Sequence, residues 1–193
     1  MQRGALTINK GGVEISSSLL SGVSLPAAVV HEAALAHNLV WMQRFADAHG
    51  AQLAPHGKTT MTPALFQRQP QAGAWGITLA TASQCRAAFA KGVTRLLMAN
   101  QLVGQANMAI IASLIEQGAS FYCVVDSQEN VRQLGRFFAE RGLTLSVLIE
   151  VGVTGGRCGC RTQQQILSLA ETIADEPALL LAGLEGYEGV VHG

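Results

Sequence analysis

Short continuous apolar runs alternate along the chain with longer segments in which apolar residues recur every three or four positions. The first pattern is typical of strands buried on both faces, and the second is typical of amphipathic helices. The predicted strands are 52–54, 75–80, 95–99, 121–125, 143–151 and 179–184. Successive strands begin about 25 residues apart, which is typical of βα units in a parallel sheet.

Helices are predicted between these strands, and capping signals set their limits. The ranges are 32–49, 63–72, 83–91 and 105–117, followed by one helix after Ser127 and one after Thr162. Ser83 and Ser127 are predicted N-caps, and Thr162 with Gln165 predicts a capping box. Pro63 suits the first turn of its helix, because proline has no N–H to donate there.

This alternation predicts an α/β fold, and two architectures share it: a doubly wound sheet and a (β/α)8 barrel. No G-x-G-x-x-G motif follows a predicted strand, which argues against a dinucleotide-binding sheet. A closed barrel has eight units and about 250 residues. The chain shows six units in 193 residues, so we expect it to be the N-terminal part of a longer protein.

The composition and the charge balance of the chain limit the classes of binding partner that we expect. Hydrophobic residues make up 49% of the chain and charged residues 13%, as in globular domains. Lysine and arginine together number 13, and so do aspartate and glutamate. This balance gives no electrostatic reason to expect nucleic acid or an anionic membrane as a partner. No apolar run is long enough for a helix that crosses a bilayer.

The four cysteines, at positions 85, 123, 158 and 160, do not form a loop-rich framework. We therefore expect no disulfide scaffold and a reducing, cytoplasmic location. The Cys158-Gly-Cys160 motif supplies two ligands, whereas a tetrahedral zinc site needs three or four from the protein. We interpret the motif as small residues in a tight loop and predict no metal site in this chain.

Candidate chemistry lies in the loops that follow the predicted strands. Lys58, with His56 two residues before it, follows the first strand. At the mouth of a parallel barrel, a partly desolvated lysine is a nucleophile that can form an imine with a carbonyl cofactor. The alternative is an ordinary exposed loop lysine. Thr81 and Asn100, which follow the second and third strands, are further candidates for cofactor binding.

Two more candidates follow the fifth and sixth strands. Arg157 lies in a glycine-rich loop, where the backbone can approach a ligand closely and the guanidinium can bind a phenolate or a phosphate. Tyr187 is flanked by glycine and glutamate and can stack on a ring or donate a hydrogen bond. The alternatives are a surface arginine and a tyrosine that only packs.

Five segments at successive strand ends together resemble one family. They are Pro-His-Gly-Lys-Thr at 55–59, Thr-Leu-Ala-Thr-Ala-Ser at 78–83, Ala-Asn-Gln-Leu-Val-Gly at 99–104, Glu-Val-Gly-Val-Thr-Gly-Gly-Arg-Cys-Gly at 150–159 and Gly-Leu-Glu-Gly-Tyr-Glu-Gly at 183–189. The likeness is to the D-threonine aldolase and D-serine dehydratase group, and within it to the bacterial amino acid deaminases. It extends over about residues 25 to 190.

The resemblance implies a fold-type III pyridoxal-phosphate enzyme, in which an alanine-racemase-like (β/α)8 barrel precedes a β domain. The chain would then hold an N-terminal extension at 1–24 and a barrel truncated to about six units at 25–193, without the β domain. Lys58 would hold pyridoxal phosphate as an imine, with Arg157 near its phenolic oxygen, Tyr187 along its ring and His56 beside the lysine. A divalent metal would bind to the absent domain.

The activity implied is deamination by dehydration of D-hydroxy amino acids such as D-serine, in a full-length homodimer, with Lys58 as the base. Retro-aldol cleavage of D-threonine is an alternative. A non-catalytic carrier of pyridoxal phosphate and an inactive fragment are two others. Many relatives carry a histidine and a basic residue just after the Lys-Thr pair, where this chain has Thr60-Met61-Thr62. This departure weakens the case for the aldolase.

Overall fold

The computed structural model describes Pro26 and residues 28–190, except for the side chain of Val190. The predicted N-terminal extension lies outside these residues. The chain divides into two compact units, of which the first ends at Ile77 and the second begins at Thr78. No helix in the described ranges is long and apolar enough to cross a membrane.

The first unit contains two described helices, α1 (Glu32–Ala48) and α2 (Pro63–Gln71). The chain leaves helix α1 through Gly50, two residues after its end, whose φ of 64° is readily adopted by a residue without a Cβ. Arg68 of α2 donates two hydrogen bonds to the carboxylate of Glu32, one of them 2.7 Å long. This bidentate ion pair ties α2 to the start of α1.

The prediction of a strand at 52–54 was wrong, because these residues form no strand in the structure. His56 forms an isolated bridge, and the carbonyl of Leu53 accepts a hydrogen bond of 2.7 Å from the amide of Trp75. The apolar run at 52–54 is too short to establish a regular ladder of hydrogen bonds with a neighbouring strand. The loop with Lys58 therefore follows an irregular segment.

The second unit is built on a sheet whose strands lie in the order of the sequence. The strands are β1 (Ile77–Leu79), which begins at the last residue of the first unit, β2 (Arg95–Gln101), β3 (Ser120–Val125), β4 (Leu145–Val151) and β5 (Leu179–Gly186). Strands β2 to β5 pair in parallel. This order has no reversal, as in a barrel and unlike a doubly wound sheet.

A helix follows each of the first four strands and leads to the next one. The helices are α3 (Ala82–Phe89), α4 (Gln105–Glu116), α5 (Gln128–Ala139) and α6 (Gln163–Ala174), and a short 3-10 helix (Glu188–Val190) follows β5. Cys123, Val124 and Val125 are all buried, so both faces of β3 are covered. The predicted alternation of strands and helices is confirmed, with five strands among the described residues instead of six.

The N-termini of the helices can be compared with the predicted capping residues. Ser127 accepts a hydrogen bond from the amide of Asn130, and Thr162 forms the capping box with Gln165, so both predictions are confirmed. Ser83 is not the cap, because the helix begins at Ala82 and its N-cap lies two residues before Ser83. Thr81 is the N-cap there, and its hydroxyl accepts from the amide of Gln84 at 3.2 Å.

Replacing Thr162 with alanine should lower the free energy of unfolding by about 1 kcal/mol, because it removes the acceptor for the amide of Gln165. The measurement is urea denaturation followed by circular dichroism. Thr162→Ser is the matched control, since it keeps the hydroxyl and should stay near the parent. Equal losses in the two variants would contradict the capping explanation.

Candidate functional site

The loop that presents Lys58 is supported from behind by a buried glycine. Lys58 is exposed and lies in a turn, and the carbonyl of Gly57 accepts a hydrogen bond of 3.0 Å from the amide of Met61. A Cβ at Gly57 would overlap the ring of Phe66, which is buried in α2. The backbone can therefore lie directly on the helix, and this contact fixes the base of the turn that holds the lysine.

His56 lies on the same loop and is exposed at its edge. Partial burial of the ring lowers the pKa of His56, and the positive charge of Lys58 lowers it further. The imidazole therefore stays neutral at neutral pH, and a neutral imidazole can accept a proton. The loop therefore carries the amine of Lys58 and, two residues before it, a neutral imidazole that can act as a base.

Removing the charge of Lys58 should raise the pKa of His56, because the second of the two causes disappears. The imidazole Cε1–H resonance of a Lys58→Ala variant, followed by NMR against pH, should titrate at a higher midpoint than in the parent. Lys91→Ala removes a lysine from the turn after α3 and should leave that midpoint unchanged. An unshifted midpoint in Lys58→Ala would show that the two groups do not interact.

In the second unit, acidic side chains gather where β4 and β5 end. Glu150 and Glu185 are direct partners in the register of these strands. Glu150 is 6% exposed, and its carboxylate accepts a hydrogen bond of 2.8 Å from the side-chain amide of Gln101 and one of 3.1 Å from the thiol of Cys158. Burial raises the pKa of Glu185, Glu150 raises it further, and Arg157 opposes both.

The glycine-rich loop after β4 folds back onto the end of that strand. The amide of Cys160 donates to the carbonyl of Glu150 at 2.7 Å, and the amide of Gly152 donates to the carbonyl of Cys160 at 2.9 Å. The amide of Gly159 donates to the carboxylate of Asp126, after β3, at 2.8 Å. The loop is therefore fixed at its base to two neighbouring strands.

Arg157 lies on this loop, and its guanidinium carbon is 4.9 Å from the centre of the Tyr187 ring. Both side chains are exposed, with Tyr187 at 51%. A guanidinium over a ring face is held by a cation–π interaction while its N–H donors point outward in its own plane. The structure thus brings together two of the predicted cofactor-binding residues, in a geometry that can bind an anionic oxygen.

Thr81 and Asn100 lie at the ends of neighbouring strands. Asn100 was predicted to follow its strand but belongs to β2, which extends to Gln101. Its amide donates to the carbonyl of Ala80 at 3.4 Å, and its oxygen accepts from the amide of Gln101 at 3.0 Å. The hydroxyl of Thr81 caps α3. The hydrogen bonds of both side chains thus organise local backbone at this edge of the sheet.

Residues 30–190 match the family model for the N-terminal domain of alanine racemase. The chain belongs to this family. The match covers all the predicted site residues and every helix and strand of the described ranges. The predicted family and fold class are thereby confirmed, and the parallel α/β structure is that of an alanine racemase N-terminal domain.

Relatives of this alanine racemase N-terminal domain have known activities. D-threonine aldolase from an Arthrobacter species is 34% identical over 173 residues, which are 90% of this chain and 45% of that protein. D-threo-3-hydroxyaspartate dehydratase from Delftia sp. strain HT23 is 32% identical over 145 residues, which are 75% of this chain and 38% of that protein. The chain thus spans less than half the length of these relatives.

The backbone of the domain is also similar to that of a solved structure. The crystal structure of D-threonine aldolase from Filomicrobium marinum has a TM-score of 0.82 and 30% identity to this chain. The alignment covers 87% of this chain and 45% of the aldolase. The similarity therefore extends over most of this alanine racemase N-terminal domain.

All four cysteines of the domain are free thiols. Burial raises the pKa of Cys85 and of Cys123 to about 12, so these two thiols stay protonated and unreactive at neutral pH. Burial also raises the pKa of Cys158 and of Cys160, and nearby carboxylates act in the same direction. Among the described residues, no three His, Cys, Asp or Glu side chains are grouped to hold a metal ion.

Sequence reasoning missed Glu150 and Gln101 as members of the site. Glu150 is the only charged residue in the apolar strand β4, and a buried charge within a strand is a signal of special hydrogen bonding. Gln101 carries no such signal, because its contact with Glu150 joins residues 49 positions apart. An open cleft of about 630 Å³ lies beside this group and is lined by Asp126, Arg157 and Ser168, among others.

Proposed function

We propose that this chain is the cofactor-binding part of a pyridoxal-phosphate-dependent lyase that acts on β-hydroxy-D-amino acids. The observation that carries the proposal is the similarity, over 90% of the chain, to D-threonine aldolase. The 32% identity to D-threo-3-hydroxyaspartate dehydratase supports it. Both names describe a D-amino acid with a hydroxyl group on the β-carbon, although the two reactions break different bonds.

The residues of the chain fit this cofactor. Pyridoxal phosphate offers an aldehyde, which requires an amine, and a phenolic oxygen, which requires a donor or a cation. Lys58 supplies the amine on a turn that Gly57 anchors against Phe66. Arg157 supplies the cation, and the ring of Tyr187 orients it. We therefore assign Lys58 to covalent attachment and Arg157 and Tyr187 to the ring of the cofactor.

When bound, the cofactor supplies an electron-accepting ring that weakens the bonds at the α-carbon of the substrate. The residues of the chain move the protons. Lys58 would hold the cofactor through its amine, and as a free amine it would take the proton from the α-carbon of the substrate. His56 is held neutral by its partial burial and by the charge of Lys58, and it is placed to accept a proton next to that lysine. We propose Thr81 and Asn100 as further cofactor-binding residues because of their places at strand ends.

The same residues support two reactions. Removal of the α-proton with loss of the β-hydroxyl as water gives an enamine, which hydrolyses to a keto acid and ammonia. Cleavage between the α- and β-carbons gives glycine and an aldehyde. We propose the first reaction, with D-serine as a substrate, because Thr60-Met61-Thr62 departs from the pattern of many relatives. The 34% identity to an aldolase favours the second.

The experiment is a comparison of products from the full-length protein. The protein, loaded with pyridoxal phosphate, is incubated with D-serine, D-threonine and D-3-hydroxyaspartate, and keto acid, ammonia, glycine and aldehyde are measured. The L-enantiomers are the matched controls. Keto acid and ammonia in equal amounts support the dehydratase, and glycine with an equal amount of aldehyde supports the aldolase. Cofactor trapped on Lys58 without turnover would indicate a carrier.

We further propose that the full-length protein works as a homodimer in the cytoplasm. The four free thiols support a reducing compartment. Sedimentation equilibrium of the full-length protein tests the dimer. A monomer at micromolar concentration would contradict it.

A further inference from the structure

We infer that Glu150 is a positioning residue for Arg157. Its buried carboxylate holds the glycine-rich loop in place by accepting the hydrogen bond of the Cys158 thiol. This inference rests on the proposed function in one respect only, namely that Arg157 binds the cofactor. The contact between Glu150 and Cys158 stands independently of it.

Glu150 is buried near the end of β4. A carboxylate that is 6% exposed is costly unless donors satisfy it. Its two oxygens have one donor each, the amide of Gln101 and the thiol of Cys158. Glu150 is therefore stabilised by hydrogen bonds to neutral groups.

The thiol that contacts Glu150 lies on the glycine-rich loop, on Cys158. Cys158 follows Arg157 directly, so the hydrogen bond to Glu150 restrains the backbone from which the guanidinium extends. A second bond, from the amide of Cys160 to the carbonyl of Glu150, restrains the loop two residues further on. One residue of β4 thus fixes the loop through both its side chain and its backbone.

The restrained loop holds Arg157 over the ring of Tyr187. The guanidinium of Arg157 lies 4.9 Å from the ring of Tyr187, which follows the neighbouring strand β5. This separation is within the range of a cation–π contact, and a shift of the loop would end it. Glu150 therefore acts on the cofactor through Arg157, without touching the cofactor itself.

The position of Glu150 requires a carboxylate. An ionised carboxylate only accepts hydrogen bonds, so it satisfies two donors at once. A glutamine offers one uncharged oxygen and one NH₂ group. The NH₂ group meets the donor of Gln101 unless that side-chain amide turns over, and the bond to the thiol loses the charge of its acceptor. Glu150→Gln therefore keeps the size and weakens the hold on the loop.

The test combines this variant with Cys158→Ala and Cys158→Ser in the full-length protein. Cys158→Ser keeps a donor, and Glu140→Gln is the control for removing an exposed carboxylate. The first measurement is the affinity for pyridoxal phosphate. We expect Glu150→Gln and Cys158→Ala to raise the dissociation constant about tenfold, and Cys158→Ser and Glu140→Gln to change it less than about twofold.

The second measurement is independent of cofactor and activity. The rate at which iodoacetamide alkylates Cys158 is followed against pH by peptide mass spectrometry. Glu150 opposes ionisation of the thiol, whereas Gln101 and Arg157 favour it. Glu150→Gln should therefore lower the pH midpoint of alkylation, and Glu140→Gln should not. An unchanged midpoint in Glu150→Gln would overturn the contact.

The two measurements separate the failure of this inference from that of the proposed function. If the parent binds the cofactor on Lys58 and Glu150→Gln binds it equally well, the positioning role is wrong and the proposed function stands. If the parent binds no cofactor, the proposed function is wrong, and the alkylation profile still decides whether Glu150 holds the loop. A tenfold loss in Cys158→Ser would also overturn the inference.

Discussion

Replacing Lys58 with alanine should abolish covalent binding of pyridoxal phosphate and lower turnover by at least about three orders of magnitude. The variant loses both the amine that attaches the cofactor and the base at the α-carbon. The chain contains three lysines, and of the other two Lys10 lies outside the described residues and Lys91 follows α3. Absorbance of the imine and borohydride trapping, followed by peptide mapping, measure the attachment.

Two variants serve as controls for this result. Lys91→Ala removes a lysine from the side of the sheet on which β2 begins and should keep full attachment. Lys58→Arg keeps the positive charge beside His56 but forms no stable imine, so it should lose attachment like Lys58→Ala. If Lys58→Ala still retained one trapped cofactor per chain, another residue would be the anchor and the proposed function would lose its main support.

Replacing Gly159 with alanine should lower the free energy of unfolding by about 3 kcal/mol. The residue has a φ of 93°, and a Cβ there would lie 2.6 Å from the nitrogen of Gly152 and 2.9 Å from the carbonyl oxygen of Glu150. Both neighbours are backbone atoms at the end of β4, so they cannot move aside as a side chain would.

Gly155→Ala separates the two contributions to this loss. Gly155 also has a positive φ, 76°, but nothing lies within 4 Å of the position of its Cβ. Gly155→Ala should lower the free energy of unfolding by only about 1 kcal/mol, which is the cost of a positive φ for a residue with a Cβ. Urea denaturation gives both values, and equal losses in the two variants would show that the close approach of Gly159 to β4 adds nothing to the strain.

Much of the secondary structure could be predicted from the sequence, because its signals are local. The hydroxyl of Thr162 and the side chain of Gln165 bond within the first turn of α6, so the capping box depends on residues three apart. The strand at 52–54 failed because a three-residue run carries too little pattern to separate a strand from an extended loop. The wrong cap at Ser83 has a similar cause, since Thr81 is an equally good capping residue two positions earlier.

The site could be predicted only in part. Arg157 and Tyr187 were predicted as candidates because polar residues after parallel strands gather at one edge of a sheet, and the structure places the two side chains in contact. Glu150 was missed as a member because it stands inside the apolar run of β4. Its role depends on Gln101 and Cys158, which only the folded sheet brings within hydrogen-bonding distance.

The order of the strands also bears on synthesis of the protein by the ribosome. Each of β2 to β5 lies beside the strand that was translated immediately before it. A nascent chain can therefore add one strand and one helix at a time to a structure already formed, without waiting for a distant segment to emerge. Such vectorial assembly shortens the time during which the apolar strands β3 and β4 are exposed to aggregation.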